Sequence, residues 1–181
     1  DQGDEATRLE TAVEKVLGGL DILVCNAGGP PPGDFAELED SQWEAAFRLI
    51  LLAPIRLIRA CLPLLRKSAG GRILLLSSVS GLRPVKRLLL SNTLRPGLTG
   101  LARHLAGELA ADRILVNAIA PGLFSSEMSD GMIERMGDLT RAFPRKRIGQ
   151  PEDLDSTLLY LVSPASEMVT GTVIKVDDGQ G

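Results

Sequence analysis

An α/β fold built on a parallel sheet covered on both faces is what this sequence predicts, and three observations predict it. Ile22-Leu23-Val24-Cys25 and residues 72–77, 114–119 and 173–176 are short, almost continuously apolar runs, as strands buried on both faces require. Segments with helical apolar spacing stand between them. Strands and helices alternate along the chain, which is the order of a parallel sheet with crossover helices.

Residues 4–17 read as an amphipathic helix, with Leu9, Val13, Val16 and Leu17 on one stripe and Gly18-Gly19 closing it. The strand Ile22–Cys25 leads into a Gly/Pro loop from Gly28 to Gly33. Ser41-x-x-Glu44 has the form of a capping box opening a long helix over residues 41–67. A strand over 72–77, a helix over 92–110 and a strand over 114–119 follow. Gln150-Pro151-Glu152-Asp153 starts another helix, with Pro at the first position and acids in the first turn. Residues 173–176 form the last strand.

At 181 residues the chain is long enough for one domain, 1–181, with its own core, and too short for two ordinary ones. With 44% apolar and 24% charged residues and a net charge of −3, no basic excess exists to neutralise phosphates, so no nucleic-acid partner is expected. No apolar run approaches the roughly 18–20 residues that span a bilayer, so no membrane partner is expected either. Cys25 and Cys61 form no metal-spaced pair and read as buried free thiols, which suits a reducing cytoplasm. His104 reads as a surface or interface residue and Tyr160 as core. The first residue is Asp1 rather than Met, so the native start is expected upstream.

Three motifs carry a resemblance. Asn26-Ala27-Gly28 follows the first strand. Ser77-Ser78-Val79-Ser80-Gly81 ends the second. Val116-Asn117-Ala118-Ile119-Ala120-Pro121-Gly122 ends the third, and Val169-Thr170-Gly171 with Val176-Asp177-Asp178-Gly179 closes the chain. In this order and spacing they resemble the short-chain dehydrogenase/reductase family over the whole chain. The resemblance implies a Rossmann-like doubly wound sheet, NAD or NADP as cofactor, and a hydride moved between nicotinamide and a carbonyl/alcohol pair. It further implies that the family's first three strands and Gly-rich phosphate turn are absent from this chain, since no such turn occurs in it. About 55–65 further residues are expected at the N-terminus from ordinary domain size. Without them the Ile22–Cys25 strand is expected to be an exposed apolar edge, and the 181-residue chain alone poorly soluble.

Carried over position by position, the resemblance puts Asp1 and Gln2 at the adenine, and Asn26, Ala27 and Gly28 beside the cofactor ribose. It sets Pro121, Gly122 and Ser126 over the nicotinamide. Ser78 takes the place of the serine that orients the substrate carbonyl; as a bare residue after a strand it equally suits a turn or cap. Asn26 and Gly28 equally suit a plain turn, and Ser126 a solvated loop. The family's Tyr and Lys positions are changed: Ser91 stands thirteen residues after Ser78, and Arg95 four further on. An aliphatic hydroxyl is a far poorer acid than a phenol, and Arg stays charged and planar where Lys is a mobile point charge. Arg95 precedes Pro96, which biases its backbone away from the helical region and its side chain away from the Lys position. Ile50 stands at the family's Asn, and Pro54 has no N–H to give the Ile50 carbonyl, which is expected to be left free or water-bound. Ser-Asn-x-x-Arg nevertheless resembles a recurrent divergent subgroup.

Two basic clusters, Arg83/Lys86/Arg87 and Arg141/Arg145/Lys146/Arg147, flank the cleft by resemblance. They read as a solvated face or as attraction for an anionic substrate or an acidic acyl carrier. The expected function is that of an oxidoreductase close to the 3-oxoacyl-carrier-protein reductases and their sugar and alcohol dehydrogenase relatives. The rival is a catalytically silent dinucleotide- or ligand-binding module. By resemblance, helices 41–67 and 92–110 and the last strand are expected to join subunits into a homodimer or homotetramer.

Overall fold

The computed structural model describes residues 2–126 and 143–180, with the side chains of residues 2–7 outside that description. The element order is α1 (Gln2–Leu17), β1 (Ile22–Cys25), α2 (Asp40–Phe47), a π-helical turn (Arg48–Leu52), α3 (Ala53–Lys67), β2 (Arg72–Leu76), α4 (Leu89–Glu108), β3 (Leu115–Pro121), α5 (Asp155–Val162) and β4 (Val173–Val176). The four strands are all parallel and lie in sequence order β1-β2-β3-β4. This is the predicted α/β class.

Side-chain alternation sorts the sheet into two faces. Leu23 and Cys25 of β1, Ile73 and Leu75 of β2, and Val116 and Ala118 of β3 point to one face. There they pack against Ile58, Cys61 and Leu65 of α3 and Leu98, Ala102 and Ala106 of α4. Leu74 and Ile119 point to the other, where Leu161 of α5 covers them with Leu158 and Val162. Burying side chains of this size is worth about 1.5–3 kcal/mol each relative to exposure. Asn117, in the middle of β3 and 2% exposed, is polar within this core. Its Nδ2 donates to the Val169 carbonyl at 2.8 Å and its Oδ1 accepts from the Thr172 N–H at 3.1 Å, so it ties β3 to the turn before β4.

Several expectations need correction. β1 is not buried on both faces: Ile22 and Val24 are 43% and 38% exposed, because α5 reaches only the β2–β4 side of its face. The α1 stripe holds at Leu9, which packs on the core, but Val16 and Leu17 in its last turn are exposed. Gly18, at φ +74°, closes that helix as expected. The capping box before α2 is formed two residues earlier than expected. Glu39 is the N-cap, and Gln42 Oε1 accepts from its N–H at 2.9 Å, while Glu44 faces Arg48 at 3.8 Å.

The helix expected over 41–67 is interrupted by the π turn. Pro54 cannot donate to the preceding turn, and the chain answers by bonding to the fifth residue, the Ala53 N–H to the Arg48 carbonyl. Tyr160 is 40% exposed rather than core, since α5 turns that side away from the sheet. His104 lies on the surface beside Glu108, as expected. Cys25 and Cys61 are buried free thiols, also as expected. Among the described residues no helix is long and apolar enough to cross a membrane.

Candidate functional site

Strands of a parallel sheet all end on the same side, and loops leaving those ends frame a crevice. Here the loops after β1, β2 and β3 frame a pocket of about 250 Å³. It is lined by Gly29 and Pro30, Ser77 and Ser78, Leu88, Ser91 and Arg95 of the α4 end, and the run Pro121 to Phe124 with Ser126. The structure therefore brings Ser78, Ser91, Arg95, Pro121, Gly122 and Ser126 together. Asn26, Ala27 and Gly28 leave β1 at the same end of the sheet. Gln2 opens α1 and its side chain is outside the description, as is Asp1 altogether.

Ser78 is extended and caps the short helical turn Val79–Gly81, its Oγ accepting from the Ser80 N–H at 3.2 Å. Both readings of this serine meet here, since it caps a turn and lines the pocket. The turn places Ser80, 2% exposed, against Ser91, 6% exposed, with their hydroxyl oxygens 2.7 Å apart. Gly81 is required at this approach, because a Cβ there would sit 2.9 Å from Ser77 Oγ and 3.2 Å from the Arg95 backbone. Ser80 was not singled out from sequence. The Ser-x-Ser-Gly spacing, which puts a second hydroxyl two residues on from the first, was the available signal.

Arg95 corrects an expectation. α4 runs straight through Pro96, so Arg95 stays helical and its side chain is carried onto the strand ends. Burial among packed helices outweighs the local bias of the residue before proline. Its Nη1 donates to the carbonyls of Leu76 at 2.8 Å and Ser77 at 2.7 Å, and its Nη2 reaches toward the Gly28 carbonyl at 3.5 Å. The guanidinium thus fastens the end of β2 to the loop after β1. Burial lowers its proton affinity, yet a guanidinium stays charged at any physiological pH. Its Nε and the nearby Ser77 Oγ are buried without hydrogen-bond partners. Asn92, the second residue of the Ser-Asn-x-x-Arg motif, holds both the N–H and the carbonyl of Val85 at 2.9 Å and so pins the loop before α4.

The basic clusters turn out to tie the rim together. Arg87 spans Asp34 and Glu37 at 2.9 and 3.0 Å, holding the Glu37 carboxyl below its ordinary value, after the larger effect of the Asp34 N–H. Arg83 donates to the Gln180 carbonyl. Arg145 and Arg147 bind Asp178, and Arg147 also binds Asp153. Arg141 lies outside the described residues. Salt bridges within the rim leave these arginines less free to attract a distant anion than a solvated cluster is.

The residues present fit a dinucleotide at this crevice. A Cβ added at Gly28 meets nothing within 4 Å, so backbone there faces open space that a ligand can enter. Gly122 is packed so closely on Asp177 and Gln180 that no side chain fits, which lets the Pro121–Phe124 run bend over the strand ends.

A parallel sheet with helices on both faces and loops framing a crevice at its strand ends is the arrangement in which α/β proteins bind nucleotides. The family model described as enoyl-(acyl carrier protein) reductase matches residues 1–180. Nodulation protein G of Azospirillum brasilense is 32% identical over 168 residues, 92% of this chain and 68% of that protein. Dehydrogenase/reductase SDR family member 4 of Bos taurus is 31% identical, over 98% of this chain and 65% of its own length. Among solved structures, an NADPH-bound short chain oxidoreductase from Pseudomonas aeruginosa PAO1, described as containing an atypical catalytic center, superposes with a TM-score of 0.91 at 30% identity. That match covers 100% of this chain and 73% of the other. The chain belongs to the short-chain dehydrogenase/reductase family of oxidoreductases.

Proposed function

We propose that the protein carrying this chain is an NAD(P)-dependent oxidoreductase acting on a small carbonyl/alcohol substrate, with Ser78, Ser91 and Arg95 as its catalytic group. The gathering of these three around one pocket at the strand ends carries the reading. The atypical centre described for the Pseudomonas aeruginosa relative, and the NADPH bound to it, support it further. When bound, the nicotinamide supplies or accepts the hydride. Asn26, Ala27, Gly28, Pro121, Gly122 and Ser126 would hold it, and the resemblance assigns Asp1 and Gln2 to its adenine.

Ser78 and Ser91 present hydroxyls to the substrate oxygen. The Ser80 hydroxyl fixes the direction of Ser91: when Ser80 donates to it, the Ser91 proton is free to point into the pocket. Arg95 supplies a fixed positive charge beneath the site, without a proton to give. The substrate is of the kind handled by 3-oxoacyl-carrier-protein reductases or by sugar and alcohol dehydrogenases, and the compartment is the cytoplasm. Residues 1–181 form one domain, corresponding to the C-terminal two-thirds of the family's fold. The assembly is a homodimer or homotetramer, since Phe47 beside the π turn, Leu49 within it and Leu159 on α5 leave large apolar side chains exposed. Light scattering at micromolar concentration that finds only monomer refutes the assembly.

One observation favours a second reading, a silent binding module. Arg95 is already engaged by backbone carbonyls and Ser91 by Ser80, so neither needs a substrate to be satisfied. NADPH binding followed by fluorescence, with turnover measured across a panel of ketones, aldehydes and alcohols, separates the two. Binding with turnover above the uncatalysed rate supports the enzyme; binding without any turnover supports the module. No dinucleotide binding at millimolar concentration removes the enzyme and leaves only a module for another ligand.

A further inference from the structure

Among the described residues, the cation beneath the pocket has no counter-charge. The structure has two buried arginines among its described residues, and they are treated differently. Arg72, at the other end of β2, pairs with Glu167 at 2.6 Å. Among the described residues Arg95 hydrogen-bonds only to carbonyl oxygens, of Leu76, Ser77 and Gly28, and burial lowers its proton affinity. Carbonyl dipoles offset part of the cost of a buried cation, but a buried charge is normally completed by an opposite one. Among the described residues lining the pocket, Arg95 is the one ionisable side chain. The other polar groups are serine hydroxyls, Ser77, Ser78, Ser91 and Ser126, which can all donate to an anionic oxygen. The lining also includes Leu88, Leu123 and Phe124, apolar surface for a short chain. A cavity of about 250 Å³ admits a ligand of modest size.

We propose that this pocket is a carboxylate-binding site, which takes a small organic acid with its carboxylate toward Arg95 and the serine hydroxyls and its apolar chain on Leu88, Leu123 and Phe124. This rests on the oxidoreductase reading only in narrowing its substrate to an oxo- or hydroxy-acid; the binding itself needs no cofactor. A permanently charged guanidinium discriminates between an acid and its neutral amide in a way that hydroxyls alone do not.

The probes are 2-oxohexanoate and 2-oxohexanamide, titrated calorimetrically into the natural full-length protein, with NADPH binding read by fluorescence on the same preparation. The acid is expected to bind at least fivefold more tightly than the amide, and a smaller difference overturns the proposal. Arg95→Met is expected to erase the preference; a folded Arg95→Met protein that keeps it also overturns the proposal. Where Arg95→Met does not fold, Leu88→Glu decides, because it brings a carboxylate to the wall and leaves the Arg95 contacts alone. It should weaken the acid at least fivefold and the amide little, and unchanged acid affinity refutes the site. A preference for the acid without NADPH binding sinks the dinucleotide reading alone; NADPH binding without that preference sinks this one alone.

Discussion

Restoring the family's proton donor is the sharpest test of the altered site. In the double variant Ser91→Tyr with Arg95→Lys, a phenol replaces a hydroxyl and an ammonium replaces the guanidinium. The structure sets the costs. Ser91→Tyr removes the 2.7 Å bond to Ser80 and leaves a buried hydroxyl without its partner. Arg95→Lys gives up at least one of the bonds to the Leu76 and Ser77 carbonyls. At about 1–2 kcal/mol for each lost bond, the pair costs roughly 2–4 kcal/mol of stability, inside the usual margin of about 5–15 kcal/mol. The variant should therefore fold.

Because α4 continues through Pro96, the new Lys starts from a helical position aimed at the strand ends, and no proline misdirection stands in its way. The pocket has about 250 Å³ into which the phenol can extend. A positioned general acid is worth ~10²–10⁴ in rate. After some loss to imperfect fit, turnover should rise at least tenfold, about 1.4 kcal/mol of barrier. Steady-state ketone reduction with NADPH from pH 5.5 to 9.5 is the assay. The variant should lose activity as pH rises through the phenol's pKa, which the neighbouring ammonium lowers, since the acid must be protonated to act. A wild-type protein that reduces ketones vigorously and loses nothing on Ser91→Ala would show that the proton comes from elsewhere.

Three further outcomes follow from contacts away from the pocket. Asn117→Leu leaves the Val169 carbonyl and the Thr172 N–H without partners and should cost about 2–4 kcal/mol in denaturant unfolding; a loss under 1 kcal/mol contradicts the tie between β3 and β4. The Asp153 carboxyl is held below its ordinary value, first by the Arg147 side chain and then by the Gln150 N–H. Its stabilising effect is present above the ordinary aspartate range and fades as pH falls through the lowered value. Arg147→Gln should move its titration upward, as carboxyl NMR can follow. The Cys25 thiol is pushed up to about 12, by burial first and then by Cys61 beside it, so neither thiol should react with iodoacetamide at pH 8 until the protein unfolds. Rapid native labelling would contradict that.

The strands were legible because their apolar runs are short and almost unbroken, and α4 because its apolar spacing outlasts the proline. The positions of Ser78, Ser91 and Arg95 were legible through the family resemblance that the motifs around them carry. What Arg95 does was not, because the carbonyls it binds belong to residues 18, 19 and 67 positions away. Arg87 misled for the same reason: its partners Asp34 and Glu37 lie some 50 residues back and come near only once the sheet forms. The exposure of Ile22 and Val24 could not be read either, since an apolar strand looks the same whether a helix covers its second face or not.

The π turn ahead of α3 also sets the rotational phase of the helix it joins. Ala46, Ile50, Pro54 and Ile58 are all buried, each four residues from the last. On an unbroken α-helix, a residue every fourth position overshoots by about 40° per step, so three steps swing the stripe about 120° off the core. One extra residue taken into a single wide turn winds back about 100° of that. A four-residue pattern, which alone would spiral around the rod, is thereby kept on one side. Deleting a single residue between Arg48 and Leu52 should let the turn close as ordinary α-helix, because eleven residues at about 100° each leave Ala46 and Ile58 about 20° apart, the phase they hold now.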